Sequence, residues 1–387
     1  MKQLRSAAAL ATLALLAACG NQTGTPQLTK SGLDPQKFVA EFRGDTTALY
    51  TLTNPAGTEV CITNFGGRVV SLMVPDKNGA LKDVVLGFDS VQAYFPENNL
   101  SDFGSSVGRY ANRINEGKFK LDSIEYQLPL NNGKHSLHGG GELGDLGWQY
   151  RVYKAEQKND TTLVLTIDSK DGDNGYPGNL TATVTYVLRA DNALDISYSA
   201  TTDKPTIINM TNHSYFNLNG DPNLPITDNL LMVNASQITP IDSTYMTDGT
   251  MADVKGTPFD FIEARMVGEK IKDFSNEQVK NGNGYDHNFV LDTKGDISQI
   301  AAELQSTVSG IVLDVYTDEP GIQVYSGNFL NGTQTGKNGI VYKQHAGICL
   351  ETQHFPDSPN KPQWPSTRLN PGDTYKSRCI YKFSVKN

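Results

Sequence analysis

The feature that most constrains the fold of this chain is a repeated alternation of apolar and polar residues in short segments. β-branched and aromatic side chains occupy every second position of these segments, which is the periodicity of a half-buried strand. The segments are residues 163–167, 180–188, 194–199, 311–316, 322–325 and 380–385. Between such segments lie typical turn sequences, including Asn132-Gly133 and residues 370–373. The pattern predicts many short strands joined by tight turns.

Helical periodicity is scarce. Short helices are predicted only near residues 91–94 and 262–267. A chain of 387 residues is long enough for two domains. No Pro/Ser-rich linker, charge block or repeat of fixed period divides it, however. We therefore predict an all-β sandwich that forms one domain over residues 38–387.

The N-terminus has the pattern of an export signal. An apolar run over residues 7–18 follows two basic residues and is too short to span a bilayer. It ends in Leu-Ala-Ala-Cys, which resembles a bacterial lipobox. We expect residues 1–18 to be a lipoprotein signal peptide, Cys19 to carry the lipid, and residues 19–37 to be a flexible tether. The expected location is a bacterial membrane, reached by export; the alternative is an ordinary cleaved signal.

Charge and cysteine content exclude several classes of partner. The net charge is −9 and no basic run occurs, so nucleic acid is not an expected partner. Cys61, Cys349 and Cys379 form no CxxC pair, which favours buried free thiols and leaves one disulfide as an alternative. No zinc spacing is present, and no metal is expected. Residues 171–175 look like the start of a calcium loop without its closing Glu, so a turn is predicted, with bound Ca²⁺ as the alternative.

Two motif matches lack the flanking structure that their chemistry needs. Residues 104–108 match the G-x-S-x-G pattern of a nucleophile elbow, but no buried strand precedes them and no apolar helix follows. Residues 139–144 match G-x-G-x-x-G, again without the strand and helix of a dinucleotide site. Neither a serine hydrolase nor a dinucleotide enzyme is predicted.

Residues 207–217 carry an unusual set of hydrogen-bonding side chains. If the segment is one strand, a single face holds the following residues: Asn209, Thr211, His213, Tyr215 and Asn217. Such a face suits sugar hydroxyls, which require donors and acceptors at fixed angles. A buried polar network that braces the sandwich explains the same residues equally well.

Glu351 lies in the apolar segment Gly-Ile-Cys-Leu-Glu-Thr-Gln. A lone carboxylate there is costly unless it is paired or used, and partial burial raises its pKa toward that of a general base. The alternative is a side chain that reaches water at a strand end. Residues 355–365 contain four prolines and are predicted to form a rigid loop beside the site.

Other residues have two readings from sequence alone. His138 lies in a glycine-rich loop that a ligand can approach, or it is a turn residue. One of Arg109 and Arg113 is expected to clamp substrate oxygens and the other to form a surface ion pair. Trp148 and Trp364 are either the floor of a sugar pocket or core anchors.

Taken together, nine stretches in order resemble the aldose 1-epimerase (galactose mutarotase) family. The resemblance extends from about residue 64 to residue 385, nearly the whole mature chain. The stretches are residues 74–79, 83–88, 108–114 (GRYANRI), 136–140 (SLHGG), 175–178, 211–218 (TNHSYFNL), 285–289 (YDHNF), 323–329 (QVYSGNF) and 349–353 (CLETQ). The sequence departs from the family at residues 141–148 (GELGDLGW), a wall of the expected pocket.

The resemblance implies a large antiparallel β-sandwich of the galactose mutarotase-like supersandwich type. It also implies that His213, as imidazolium, is the general acid and that Glu351, as carboxylate, is the general base of sugar ring opening. The implied substrate-binding residues are Asn112, Arg113, His138, Ser214, Tyr215, Asp286 and Gln323. The expected protein is a monomer that acts on free hexoses such as galactose and glucose, with no required cofactor.

Two other functions remain open at this point. One is a lipid-anchored sugar-binding protein that retains the sandwich without turnover. The other is an epimerase for another class of sugar, such as sugar phosphates or disaccharides. The absence of an extra Lys/Arg cluster for phosphate favours a neutral sugar.

Overall fold

The computed structural model describes residues 27–98, 101–140 and 146–386. The predicted signal peptide and the predicted lipidation site at Cys19 lie outside these residues. Within the described part of the chain, no helix has both the length and the apolar character needed to cross a bilayer.

Short strands form most of the regular structure. In chain order they are β1 (Glu41–Phe42), β2 (Asp45–Thr46), β3 (Leu49–Thr53), β4 (Glu59–Thr63), β5 (Arg68–Pro75), β6 (Leu81–Asp83), β7 (Ser106–Val107), β8 (Arg113–Ile114), β9 (Lys118–Leu121), β10 (Ile124–Gln127), β11 (Ser136–Leu137), β12 (Lys154–Asn159), β13 (Thr162–Ser169), β14 (Leu180–Leu188), β15 (Ala193–Thr202), β16 (Thr206–Ile207), β17 (Thr211–Asn212), β18 (Tyr215–Phe216), β19 (Leu230–Val233), β20 (Ala235–Thr239), β21 (Ala252–Asp253), β22 (Arg265–Met266), β23 (Asp286–Leu291), β24 (Ala302–Gln305), β25 (Ile311–Thr317), β26 (Gly321–Tyr325), β27 (Ile348–Gln353), β28 (Arg368–Leu369) and β29 (Tyr375–Val385).

Helical structure is limited to short pieces. The α-helix α1 (Glu277–Gly282) starts at Asn276, whose side chain accepts from the backbone N–H groups of Gln278 and Val279. Single 3-10 turns occur at Pro35–Phe38, Val91–Tyr94, Asn115–Gly117, Trp148–Tyr150, Asp173–Gly175, Ile226–Asp228, Val267–Glu269, Lys337–Gly339 and Ser358–Asn360.

Three antiparallel sheets account for the main architecture. The largest has nine strands in the order β12-β13-β14-β15-β29-β25-β24-β19-β22. A six-stranded sheet has the order β18-β27-β26-β23-β20-β21, and a four-stranded sheet contains β3 to β6 in sequence. The predicted all-β fold is confirmed.

One hydrophobic core cluster joins the inner faces of these sheets. It includes Val184 and Leu313 from the nine-stranded sheet, Val324 and Leu350 from the six-stranded sheet and Val60 from the four-stranded sheet, each fully buried. Successive side chains of a strand point to opposite faces of its sheet, so the side chains that alternate with Val324 and Leu350 lie on the face of the six-stranded sheet turned away from this core. The layers form a large antiparallel β-sandwich.

The sequence pattern located the long strands well and two shorter elements less well. All six predicted strand segments lie within or form β13, β14, β15, β25, β26 and β29, and residues 91–94 form a short 3-10 helix. The helix predicted near residues 262–267 is wrong, since Arg265 and Met266 pair with β19 as an edge strand.

The predicted single strand over residues 207–217 is also wrong. The segment forms β16, β17 and β18, which pair with β28, β7 and β27 respectively. Its polar residues are buried on both sides and bond to loop backbone. Asn209 donates to Ala111 and His354, and Asn217 donates to Leu224 and Ala346. Period-two sorting fails here because neither side of the segment faces solvent.

The predicted tether does not extend as far as residue 37. Leu33 and Phe38 are buried in a second hydrophobic cluster, and the N–H of Lys30 donates to the Glu59 carboxylate at 2.7 Å. Apolar side chains in this part of the segment therefore attach it to the domain.

Candidate active site

The candidate site is built on the polar face of the six-stranded sheet. Glu351 on β27 lies opposite Gln323 on β26, and Asp286 on β23 lies opposite Tyr325 on β26. Residues paired across antiparallel strands point to the same side, so these side chains converge. The intervening Leu350 and Val324 point into the core.

His213 and Glu351 meet at the centre of this face. Nε2 of His213 lies 3.6 Å from Oε1 of Glu351, although 138 positions separate them in the chain. The side chains are 7% and 2% exposed, respectively. The two residues that the family resemblance implies as general acid and general base therefore lie side by side.

Backbone hydrogen bonds and side-chain contacts fix the position of His213. Its backbone N–H donates to Ser105 at 2.8 Å, and its carbonyl accepts from Gly104 at 2.9 Å. The ring stacks on Tyr215 with a centroid distance of 5.2 Å. Nδ1 lies 3.5 Å from Sγ of Cys349, which leaves Nε2 directed toward Glu351.

The pKa values of the pair move in opposite directions. Burial raises the pKa of Glu351 well above its usual value; Asp286 and Asp102 add to the rise and Arg113 opposes it. Burial lowers the pKa of His213 to about 4, with Asp286 opposing. In the free site, burial therefore favours the neutral pair rather than the carboxylate and imidazolium that we predicted. Oε2 of Glu351 is buried without a hydrogen-bond partner.

A second group of predicted residues lines the wall beside this pair. The His138 ring packs edge-on to His213, with the centroids 5.2 Å apart. Its Nδ1 accepts from the N–H of Asn112 at 3.2 Å, so the ring proton resides on Nε2. Arg113 is 8% exposed; its Nε donates to Asn132 at 2.9 Å and its guanidinium lies 4.8 Å from the Tyr245 ring centre.

Asp286 and Gln323 form the opposite side. Gln323 donates to one carboxylate oxygen of Asp286 at 2.7 Å. Burial raises the pKa of Asp286, while the charge of Arg113 opposes the rise. Ser214 is buried next to His213, and its backbone N–H donates to Asn212 at 3.1 Å. The structure thus brings the predicted residues together around the His213–Glu351 pair, and Ser214 is adjacent to His213 in the chain.

Asp102 is a residue of this site that our sequence reasoning missed. One of its carboxylate oxygens and ring nitrogens of His138 and His213 lie within 4.8 Å of one another. The residue follows a polar loop that carries no periodic pattern, so only its nearness to the GRYANRI motif was a signal.

In the described part of the chain, two donor sets have the composition of metal ligands. They are Asp102 with His138 and His213, and His213 with Cys349 and Glu351. The first set fits a metal poorly, because Nδ1 of His138 accepts a hydrogen bond and Nε2 therefore carries a proton. The second would use both members of the central pair.

The structure decides between several of the interpretations that the sequence left open. Arg109 is not a surface ion pair but is buried, and it donates to Pro177 and Ser169. Trp148 belongs to the hydrophobic core, and the three cysteines are buried free thiols. Ser106, the serine of the G-x-S-x-G match, is bonded to the Tyr186 hydroxyl at 2.7 Å.

The calcium alternative is not supported by the turn at residues 171–175. Asp171 is bonded to Lys204, and Asp173 receives two hydrogen bonds from Arg151 at 2.7 Å. Because protein cations already occupy both carboxylates, this turn does not fit a calcium ion.

Comparison with known proteins gives a consistent family. Residues 48–382 match the aldose 1-epimerase family model. The chain is 40% identical over 328 residues to galactose mutarotase of Homo sapiens, which covers 84% of this chain and 91% of that protein. It is 38% identical over 343 residues to aldose 1-epimerase of Escherichia coli (strain K12), covering 88% and 96% of the two chains.

Solved structures agree. An aldose epimerase homologue from C. elegans superposes with a TM-score of 0.80 at 31% identity, covering 88% of this chain and 100% of that one. A galactose 1-epimerase from Lactobacillus acidophilus NCFM gives 0.78 at 31% identity, covering 90% and 97%.

Proposed function

Because the chain belongs to the aldose 1-epimerase family, we propose that its buried His213–Glu351 pair interconverts the α and β anomers of free aldoses. The protein is an isomerase, and galactose and glucose are the proposed substrates. The observation that supports the residue roles is the 3.6 Å separation of Nε2 of His213 and Oε1 of Glu351 in a buried site.

Ring opening requires two proton transfers at neighbouring oxygens. A cyclic aldose is a hemiacetal, so opening removes the proton of the C1 hydroxyl and delivers one to the ring oxygen. Glu351 as carboxylate takes the first and His213 as imidazolium supplies the second. Rotation about C1–C2 then presents the other face of the carbonyl, and closure reverses both transfers. Each transfer contributes about 10²- to 10⁴-fold.

His213 and Glu351 must share one proton if they are to catalyse both ring opening and ring closure. Burial lowers the pKa of His213 to about 4 and raises that of Glu351, so burial alone favours that proton on the carboxyl group. Oε2 of Glu351 has no hydrogen-bond partner among the described protein residues, and a sugar hydroxyl can donate a hydrogen bond to it. A bound sugar therefore favours the carboxylate and moves the proton toward His213.

The surrounding side chains suit a neutral sugar. Gln323 occupies one oxygen of Asp286, which leaves the other to accept from a sugar hydroxyl. Arg113 and the Nε2–H of His138 donate to sugar oxygens and stabilise charge that develops on oxygen during opening. Asn112 and Tyr215 complete the proposed contact set. The chemistry proposed for this site uses these side chains and no cofactor.

The proposal is tested by following the optical rotation of freshly dissolved α-D-glucose and α-D-galactose. We expect catalysed decay with the native protein and a loss of about 10²-fold or more in Glu351→Gln, with the fold retained. Glu59→Gln is the matched control, because Glu59 is equally buried but lies on β4 and bonds to Lys30.

Two outcomes would contradict the proposal. An unchanged rate in Glu351→Gln would remove this carboxylate from the mechanism. Sugar binding in calorimetry without any rate enhancement by the native protein would select the sugar-binding alternative instead.

We further propose that the protein is exported, lipidated at Cys19 and monomeric. The support for export and lipidation is the lipobox-like sequence that ends at Cys19. Metabolic labelling with radioactive palmitate, compared between the native chain and Cys19→Ala, tests the anchor. Light scattering of the detergent-solubilised protein tests the oligomeric state.

A further inference from the structure

The Asp102 carboxylate has no evident partner in the proposed site. One of its oxygens lies within 4.8 Å of ring nitrogens of both His138 and His213. Its Oδ1 is buried and has no hydrogen-bond partner among the residues that the structure describes. The residue as a whole is partly exposed; burial raises the pKa of its carboxyl group, and the charge of Arg68 opposes the rise. A carboxylate with one oxygen in this state is costly unless a nearby group responds to its charge.

The loop that carries Asp102 is held in place. Arg68 donates to the carbonyls of Ser101 and Phe103, on either side of Asp102, at 2.9 and 3.0 Å. The backbone carbonyl of Asp102 accepts from the N–H and the hydroxyl of Ser105, both at 3.0 Å. These bonds fix the loop beside the histidines. Arg68 donates its hydrogen bonds to backbone carbonyls, and it acts on Asp102 through its charge alone.

Of the two histidines, His138 cannot respond to the negative charge. Its Nδ1 accepts the Asn112 N–H at 3.2 Å, so a second ring proton would break that bond. Burial and the neighbouring His213 and Arg113 also keep the pKa of His138 well below its ordinary value. His213 has no such restriction, because its Nε2 lies 3.6 Å from a carboxylate oxygen of Glu351, with which it can share a proton.

The charges around His213 leave a net deficit of positive charge. Among the residues that the structure describes, the titratable and charged groups around the His213–Glu351 pair are the carboxyls of Asp286 and Asp102 besides Glu351 itself, the guanidiniums of Arg68 and Arg113, the thiol of Cys349, the phenols of Tyr215 and Tyr325, and the imidazole of His138. Three carboxylates against two guanidiniums favour one additional proton in the site.

We propose that Asp102 is a positioning residue that retains, at His213, the proton that the His213–Glu351 pair shares. The inference rests on the proposed roles of that pair. No covalent step is added: Asp102 stays a carboxylate, and the proton remains between His213, Glu351 and the two sugar oxygens throughout turnover. In agreement, the charge of Asp102 raises the pKa of Glu351, the other member of the pair.

The test is the pH profile of kcat in the native protein, Asp102→Asn and Asp102→Glu. Loss of the shared proton sets the alkaline limb, at a pH where Asp102 is ionised. Removing a negative charge makes that proton easier to lose, so the limb of Asp102→Asn is expected about one pH unit lower. Above the native midpoint, kcat should then be about tenfold lower, with KM unchanged. Asp102→Glu should recover most of the shift.

Asp195→Asn is the control, since Asp195 is a buried carboxylate that pairs with Arg378 away from the site. Asp195→Asn should lower the free energy of unfolding without shifting the alkaline limb of the kcat profile. Equal loss of kcat at every pH in Asp102→Asn would overturn the inference and indicate a structural role. A change confined to KM would indicate direct sugar contact instead and would also overturn it.

The failure of this inference is distinguishable from failure of the proposed function. If the native protein shows no mutarotation, the proposed function fails. If it does and the limb does not move, only the role of Asp102 fails. ¹⁵N-histidine NMR of the free proteins gives an independent measurement, and Asp102→Asn should lower the apparent titration midpoint of His213.

Discussion

At the scale of single residues, the orientations of the two site histidines are set by the neighbours of individual ring nitrogens. Nδ1 of His213 is near Cys349 and Nε2 is near Glu351, so the ring cannot exchange its two nitrogens without losing both contacts. Nδ1 of His138 is likewise occupied by the Asn112 N–H. Such fixed assignments prepare the site for proton transfer, because little reorganisation remains when the substrate arrives.

Arg113 gives a prediction at the same scale. Its Nε donates to Asn132 at 2.9 Å, and its planar guanidinium lies against Tyr245. Lysine keeps the charge but lacks the planar set of donors, so Arg113→Lys should lose both contacts. We expect kcat/KM for galactose to fall about 100-fold, as when one oxyanion donor is removed. Polarimetric initial rates measure this value.

Arg378→Lys is the matched control for that substitution. Arg378 also binds oxygen atoms through two donors, but its partner is Asp195 on the nine-stranded sheet. Its replacement should leave kcat/KM unchanged. A similar kcat/KM for native protein and Arg113→Lys would show that charge alone suffices at this position.

At the scale of elements, the end of β27 is joined to the β25–β26 turn by a buried ion pair. Nδ1 of His354 lies 2.5 Å from a carboxylate oxygen of Glu319, which is 2% exposed. Although burial lowers the pKa of His354, the charge and hydrogen bond of Glu319 raise it further, and the net pKa is raised. The strength of this contact between the end of β27 and the β25–β26 turn therefore depends on pH.

The sign of this coupling follows from the raised pKa. Below the ordinary histidine pKa of about 6.5, the ion pair contributes its full stabilisation; the contribution is lost as pH rises through the higher folded-state pKa. We expect the urea midpoint of the native protein to fall on this alkaline side, and we expect His354→Gln to be less stable at pH 6 but to lack that decline. Midpoints measured between pH 5.5 and 9 test this, and an identical slope in both proteins would contradict it.

Elements also show how much of the structure was predictable. Strands β13, β14, β15 and β29 were evident because one face of each is solvated, so that polar and apolar residues alternate along the sequence. Residues 207–217 were not, because both sides are buried and polar side chains bond to loops rather than to water. Glu351 was identified by its apolar context, whereas Asp102 acts through tertiary proximity that no local pattern records.

At the scale of the whole molecule, two hydrophobic clusters place the site between them. The first joins the three large sheets. The second contains Phe38 near the N-terminus, together with Tyr215, Tyr325 and Cys349 from the site wall. The segment around Phe38 thus packs into the same cluster as Tyr215 and Cys349, which contact the His213 ring. It does so although it lies far from the catalytic strands in sequence.

This arrangement predicts that the N-terminal segment and the active site unfold together. Phe38 is fully buried, so Phe38→Ala in the full chain should lower the free energy of unfolding by about 3–5 kcal/mol. Val39→Ala is the neighbouring control; Val39 is 49% exposed, and its truncation should have little effect. In urea, loss of mutarotation and loss of the β circular dichroism signal should keep one common midpoint that shifts in Phe38→Ala. If activity disappeared at a lower urea concentration than the β signal, the site wall would be an independent unit, and the second cluster would not connect it to the N-terminal segment.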